Sequence, residues 1–367
     1  MLEKNKKAEI FCIPYVADEI ERLIDEKQGQ IKEIAEEIHA RNPKWLIFVG
    51  SGASWCTLYT GQYLMDRYSS LPCAIYWGPE LYDRHPCLLT GDAFAILASY
   101  SGKTADTLRA LEVFKENNVP TLAISKDGKG PLAQQADLLL TYESAALYTS
   151  PMVEVVMLLL ELMRLRGESL RECEEISGAL RKLPSNMRSV LAKSEEVAVR
   201  QTDNFKDDSP LWVIAGGALA GFGYQYAYTS IMEYLRTPAI YLHPGEFRHG
   251  PLEVLGNEKP AMIHLIGYGG CREYSLMTYE FCKKHGAKVL ALDAADYFRT
   301  HPVLSPFALF PVFQYFLLYM AQAKGIELDE YIYMHVVPYN RGRRTSDGRV
   351  TGHLCWRLLY RLVQRRG

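Results

Sequence analysis

Two stretches of this sequence gather the side chains that handle charge and protons. In the first, Ser99-Tyr100-Ser101-Gly102-Lys103-Thr104, three hydroxyls and a turn-forming glycine stand directly ahead of a helix-like run, Thr104 to Phe114. The start of a helix leaves unpaired N–H groups and the positive end of the helix dipole. With hydroxyls beside it, such a start makes an anion cradle whose usual occupant is phosphate. The same composition also suits an ordinary capped, serine-rich turn. A second turn of this kind, Gly50-Ser51-Gly52-Ala53-Ser54, follows the apolar run Trp45 to Val49. It does not continue into G-x-G-x-x-G with a placed acid, nor into G-x-x-x-x-G-K-[ST], so neither a dinucleotide nor a nucleoside triphosphate is its natural guest. Both loops follow strands, and in an open parallel sheet they open on the ligand-binding edge. A compact phosphomonoester fits best.

The second stretch is His243-Pro244-Gly245-Glu246-Phe247-Arg248-His249-Gly250-Pro251-Leu252-Glu253, which packs imidazoles, charges, glycines and prolines into one loop. A loop of this makeup packs poorly in a core and is a natural carrier of function, although a polar surface turn reads the same way. Ahead of it, a predicted helix Tyr224 to Arg236 carries Glu233 among Ile231, Met232, Tyr234 and Leu235. That carboxyl is either a solvated helix position or a group whose pKa burial has raised. The sequence leaves both readings open.

The elements that position these loops alternate strand and helix. Helical spacing of Ile20, Leu23, Ile24, Ile31, Ile34, Ala35 and Ile38 marks a helical lead-in over residues 1–44. Apolar runs at Trp45 to Val49, Ala93 to Ala98, Thr121 to Ile124 and Asp137 to Tyr142 then read as four strands, the hydroxyl loop following the second. After a helical stretch, strands return at Leu211 to Ala215, Ala261 to Ile266 and Lys288 to Leu292. The turn at Ala215-Gly216 echoes the one at Val49-Gly50. The expectation is an α/β protein with two similar doubly wound parallel sheets flanked by helices: a first domain over 45–165, a helical connection over 166–200 and a second domain over 201–339.

Composition narrows the class. The chain has 367 residues, 48% hydrophobic and 23% charged, with a net charge of −2. That balance is globular and makes no electrostatic case for nucleic acid. Eight cysteines include no C-x-x-C pair, which fits a reducing cytoplasm better than a zinc site or a disulfide scaffold. The apolar run Pro306 to Ala323 approaches a membrane span in length, but two prolines and two glutamines make it a buried core helix, so no membrane partner is expected. A basic extension, 340–367, holds eight arginines against Asp347 alone. It has the pattern of an amphipathic helix, with solvated or oligomer-packing use preferred over a membrane or RNA contact.

Three motifs together carry a resemblance: G-x-G-x-S after the first strand, S-x-S-G-x-T after the second, and G-E-F-R-H-G-P-L-E-V in the second half. They resemble the sugar isomerase (SIS) domain proteins, from Trp45 to about Tyr339, in two copies. Within that family the chain is similar to the isomerase half of glucosamine-6-phosphate synthase and, more closely, to the fructoselysine-6-phosphate deglycases. The segment Lys283 to Tyr297 and the pattern Tyr333-Met334-x-x-Val337-x-Tyr339 favour the deglycases.

The resemblance implies phosphate contacts from Ser54, Ser99, Tyr100, Ser101 and Thr104, with Ser51, Gly52, Glu246 and Arg248 as further substrate contacts. It implies catalysis by Glu233 and His249, with no metal and no cofactor. It also implies a homodimer or larger homo-oligomer in which His249 completes a neighbour's pocket. Tyr100 stands where relatives carry glutamine or histidine. Ser230 replaces a lysine of the synthases, and their C-terminal lysine has no counterpart here. The implied reaction is release of glucose 6-phosphate and a free amine from a 6-phosphorylated Amadori compound. Aldose–ketose isomerisation, a synthase-like or deaminase reaction, a glucoselysine-type substrate and a non-catalytic sugar-phosphate sensor are the alternatives.

Overall fold

The computed structural model describes residues 1–333, and the basic extension 340–367 lies outside them. The apolar rhythm of the first forty residues becomes three helices, Leu2–Lys7, Ile13–Glu26 and Gln28–Ala40. Every apolar position picked out there is buried, including Ile20, Leu23, Ile31 and Ile38. Each such side chain contributes roughly 1.5–3 kcal/mol by leaving water. The second and third pack against Ser150–Leu165 and Leu170–Ser189, the first two of three helices that follow the first sheet; the third of those is Leu191–Phe205.

The first sheet has five parallel strands: β1 (Trp45–Val49), β2 (Cys73–Tyr76), β3 (Ala93–Ala98), β4 (Thr121–Ser125) and β5 (Leu138–Thr141), in the order β2-β1-β3-β4-β5. The second has four: β6 (Leu211–Ala215), β7 (Ala239–Leu242), β8 (Ala261–Ile266) and β9 (Lys288–Asp293), in the order β7-β6-β8-β9. All pairings are parallel. The second order repeats that of the first four strands. β3, β4, β6 and β8 are buried along their whole length, as strands covered on both faces must be.

Two edge strands were not foreseen from sequence. β2 and β7 are four residues each and only partly buried, so neither shows a sustained apolar run. The hydroxyl loop therefore follows the third strand, β3, rather than the second. The predicted helix Tyr224 to Arg236 also differs in kind. Residues Gln225–Met232 wind as a π-helix, and only Glu233–Leu235 returns to α geometry before Arg236 ends it at φ 51°.

Contacts gather Met1–Glu327 into one compact unit. The apolar run near the C-terminal end of that unit is helix Ser305–Ala323, buried along most of its length and packed on Leu191–Phe205. It alone among the described helices is long and apolar enough to cross a membrane, and it forms a core instead. Phe307, Phe313 and Phe316 are almost wholly buried in it, and Gln314 Nε2 donates to Ile10 O at 3.4 Å.

Candidate active site

β1 and β3 are hydrogen-bonded neighbours, Val49 level with Leu97. Because β2 lies on the other side of β1, the order in which strands are added to the sheet reverses here, and the loops after β1 and β3 open side by side at the carboxyl edge. This is where doubly wound sheets bind ligands. Both loops are tightly folded. A Cβ on Gly50 would lie 3.0 Å from the backbone of Ser54 and Trp55. Gly102 sits at φ 61°, and a Cβ on the facing Gly130 would lie 2.6 Å from Ser101 O.

Each loop ends at a helix, Ala53–Tyr68 or Ala105–Glu116, whose first turn has no side-chain cap. Thr104 holds the capping position, but its hydroxyl shares a 2.9 Å hydrogen bond with Ser99 Oγ instead. Ser99 is buried, so it positions Thr104 from beneath. Ser101 Oγ accepts from Lys103 N at 3.2 Å. Two uncapped helix starts, with Ser51, Gly52, Ser54, Ser101 and Thr104 around them, form an electropositive, hydroxyl-lined notch suited to a dianion.

Tyr100 is held from the side, its ring 6.4 Å from that of Tyr142 and 5.3 Å from the Lys126 ammonium. Lys126 follows directly on β4, and its hydrogen bond to Tyr100 lifts the ammonium's pKa above the ordinary value. This cation beside the loop escaped sequence reading because β4 is adjacent to β3 only in the folded sheet.

Glu233 reaches this neighbourhood from the second half of the chain. A Cβ on Gly52 would lie 3.5 Å from Thr229 Cγ2, so the π-helical segment packs against the first glycine loop. Tyr148 Oη donates to Thr229 O at 2.9 Å, and Thr229 Oγ1 donates to Gln225 O at 3.1 Å, pinning that turn. Such π turns often mark functional sites. Of the two readings left open for Glu233, burial prevails: the carboxyl is largely buried, and loss of solvent alone pushes its pKa to about 7.

His249, Glu246 and Arg248 stand exposed on the loop after β7. Phe247 anchors that loop in an apolar cluster with Trp212, Ile214 and Met262. Arg248 lies over the Tyr274 ring at 5.5 Å. His243, at the start of the loop, accepts from Gly245 N at 3.1 Å through Nδ1, and burial lowers its pKa. The hydroxyl loops thus belong to the first sheet and the His249 loop to the second, with Glu233 on the segment that links them.

The corresponding edge of the second sheet differs in composition. The loop after β8, Gly267 to Cys271, carries no Ser or Thr. At the start of the helix behind it, Arg272 binds both oxygens of Asp293 at 2.7 Å and also donates to Gly267 O. Among the described residues, no three His, Cys, Asp or Glu side chains are grouped to hold a metal ion.

Residues 40–163 match the SIS domain family. The chain is 26% identical over 334 residues to fructoselysine 6-phosphate deglycase of Escherichia coli K12, covering 90% of this chain and 97% of that protein. It is 26% identical over 323 residues to fructosamine deglycase of Bacillus subtilis, covering 84% and 97%. A Bacillus subtilis structure described as a candidate phosphosugar isomerase superposes with a TM-score of 0.79 at 25% identity, covering 85% of this chain and 97% of that one.

Proposed function

This chain carries a SIS domain over residues 40–163, and from that premise we propose that it is a deglycase acting on a 6-phosphorylated Amadori compound. The repeated strand order supports reading 201–339 as a second SIS copy. The observation that carries the catalytic reading is the Glu233 carboxyl, buried to a pKa of about 7 on a turn seated against the glycine loop of an open anion notch.

The sugar phosphate docks by its dianion between the starts of helices Ala53–Tyr68 and Ala105–Glu116, with Ser54, Ser101 and Thr104 donating. Ser99 and Tyr100 shape the loop, and Ser51 and Gly52 line it. This holds the unreactive end of the substrate, so that binding energy aligns the carbons that react. In the open-chain ketose, C1 bears the amine and C2 the carbonyl. Glu233 removes a proton from C1, the C2 oxygen is protonated, and an enaminol forms. Reprotonation at C2 gives the C1 imine, and addition of one water breaks the C1–N bond. The products are glucose 6-phosphate and the free amine, with no redox change. A base ionising near 7 suits the proton abstraction, because its ionised fraction and its basicity are both useful at neutral pH.

His249, exposed on its own chain, supplies the shuttling proton to the site of a second copy. Glu246 and Arg248 flank it there. All seven cysteines among the described residues are free, which supports a cytoplasmic setting. No cofactor enters any step.

The test is incubation with fructoselysine 6-phosphate, with glucose 6-phosphate read by a coupled dehydrogenase and lysine by chromatography, beside fructose 6-phosphate as an isomerase control. Glu233→Gln and His249→Asn should each lower kcat by about 100-fold or more while the protein stays folded, Glu233→Gln melting no lower than wild type. Sugar-phosphate binding without turnover by the wild type would overturn the reading in favour of a sensor.

A further inference from the structure

The phosphate notch is short of positive charge, and one half-buried ammonium beside it has no part in the reaction above. An uncapped helix start carries the equivalent of about half a charge. The starts of Ala53–Tyr68 and Ala105–Glu116 together therefore supply about one. A phosphate monoester at pH 7 carries about −1.5 to −2. Hydroxyls donate hydrogen bonds but add no net charge, so a dianion held there calls for a further cation.

Three lysines adjoin the notch: Lys103 in the hydroxyl loop, and Lys126 and Lys129 on the turn after β4. Lys103 and Lys129 are exposed, whereas Lys126 is half-buried. The parallel ladder between β3 and β4 runs on past both strands and fixes Lys126 beside the loop. Ser99 N donates to Ile124 O at 3.0 Å, and Lys126 N donates to Tyr100 O at 3.1 Å. On its other side, Lys126 O accepts from Glu143 N at 2.8 Å. The end of the turn is held to the loop as well, with Leu132 N donating to Gly102 O at 3.0 Å.

The Lys126 side chain rests on the same loop. Its ammonium donates to the Tyr100 hydroxyl and lies 5.3 Å from that ring's centre. Among the described residues no carboxylate forms an ion pair with it, and Asp127 and Glu9 act on it only at longer range. The Asp127 carboxylate accepts from Lys129 N at 2.9 Å instead. One hydrogen bond to Tyr100 leaves two of the three ammonium donors for an oxyanion. A cation drawn partly out of water without an ion pair loses solvation that nothing in the chain replaces. A bound dianion would replace it.

Resting on the sugar-phosphate reading of the notch, we propose that Lys126 is a further substrate-binding residue: steadied by Tyr100, its ammonium binds the phosphate and makes the site favour a dianion over a monoanion.

The experiment is calorimetric titration at pH 8 with glucose 6-phosphate, a dianion there, and glucose 6-sulfate, a monoanion. In Lys126→Met, Kd for the phosphate should rise about 10- to 100-fold, the loss of one charge-assisted hydrogen bond. The sulfate should lose less, because a single charge is attracted less strongly. Lys126→Arg should restore most of the affinity, and Lys129→Met, which removes an exposed and screened cation, should leave it unchanged. In steady-state turnover of fructoselysine 6-phosphate the loss should fall on KM and spare kcat. Should Lys126→Met melt below wild type, Lys126→Gln carries the same comparison. An unchanged Kd, an equal loss on both ligands, or a loss seen in Lys103→Met instead would overturn the assignment.

Binding measured apart from turnover separates this claim from the reaction. Affinity that depends on Lys126 in a protein that does not turn over the conjugate would sink the deglycase reading and leave Lys126 in place. Turnover with affinity indifferent to Lys126 would do the reverse, and no binding of either ligand by wild type would overturn both.

Discussion

Burial of Glu233 makes a quantitative demand on the pH dependence of the reaction. Loss of solvent moves this carboxyl from 4.5 to about 7, a charge disfavoured by about 3 kcal/mol relative to water. The base would then be about 10% ionised at pH 6 and about 90% ionised at pH 8. Turnover should climb about ninefold over that interval and level off above it. A solvated glutamate would be fully ionised throughout and the profile flat. The assay is steady-state release of glucose 6-phosphate between pH 5 and 9. kcat should be followed as well as kcat/KM, because the substrate phosphate itself ionises near 6 and contributes to the latter. Replacing Met232, the exposed residue beside Glu233, with glutamine should admit water and shift the rising limb to lower pH. A flat kcat profile in wild type would refute burial as the source of the base's strength. So would a limb that Met232→Gln leaves in place while Glu233→Gln retains turnover.

Other consequences can be checked separately. Gly130→Ala would push a methyl to 2.6 Å from Ser101 O and 2.8 Å from Gly102 Cα, both backbone atoms; it should raise KM for sugar phosphates and cost about 1–3 kcal/mol by denaturant unfolding. Glu154 is fully buried with neither carboxyl oxygen hydrogen-bonded, and burial raises its pKa from 4.5 to about 8. Its raised value means that folded-state stability is lost as pH climbs from about 4.5 through about 8, by up to about 5 kcal/mol. Thermal melts should therefore fall more steeply with pH in wild type than in Glu154→Gln, and parallel slopes would contradict the assignment. Arg272→Ala removes the partner of Asp293 at the edge of the second sheet; it should destabilise the fold by about 1–3 kcal/mol with kcat unchanged, since neither residue belongs to the proposed site.

Much of the site was legible because its signals are local. A hydroxyl loop after an apolar run, a glycine turn and a histidine-rich loop each declare themselves within a dozen residues. The apolar period of the first forty residues likewise named side chains that are all buried. β2 and β7 were not legible, because a four-residue edge strand has one covered side and needs no long apolar run. The π-helical winding of Gln225–Met232 was hidden too, since a π turn and an α turn share one composition.

Sequence by itself determined which residues could bind phosphate and which could move protons. Only the tertiary structure decided how they meet. The unread strand β2 puts β1 beside β3, so two loops some fifty residues apart in the chain share one edge. Thr229, four residues before Glu233, packs against Gly52, and burial strips water from the Glu233 carboxyl, which sets its pKa. Adjacency of strands and desolvation of a carboxyl are properties of distant segments in contact, and no local pattern of residues encodes them.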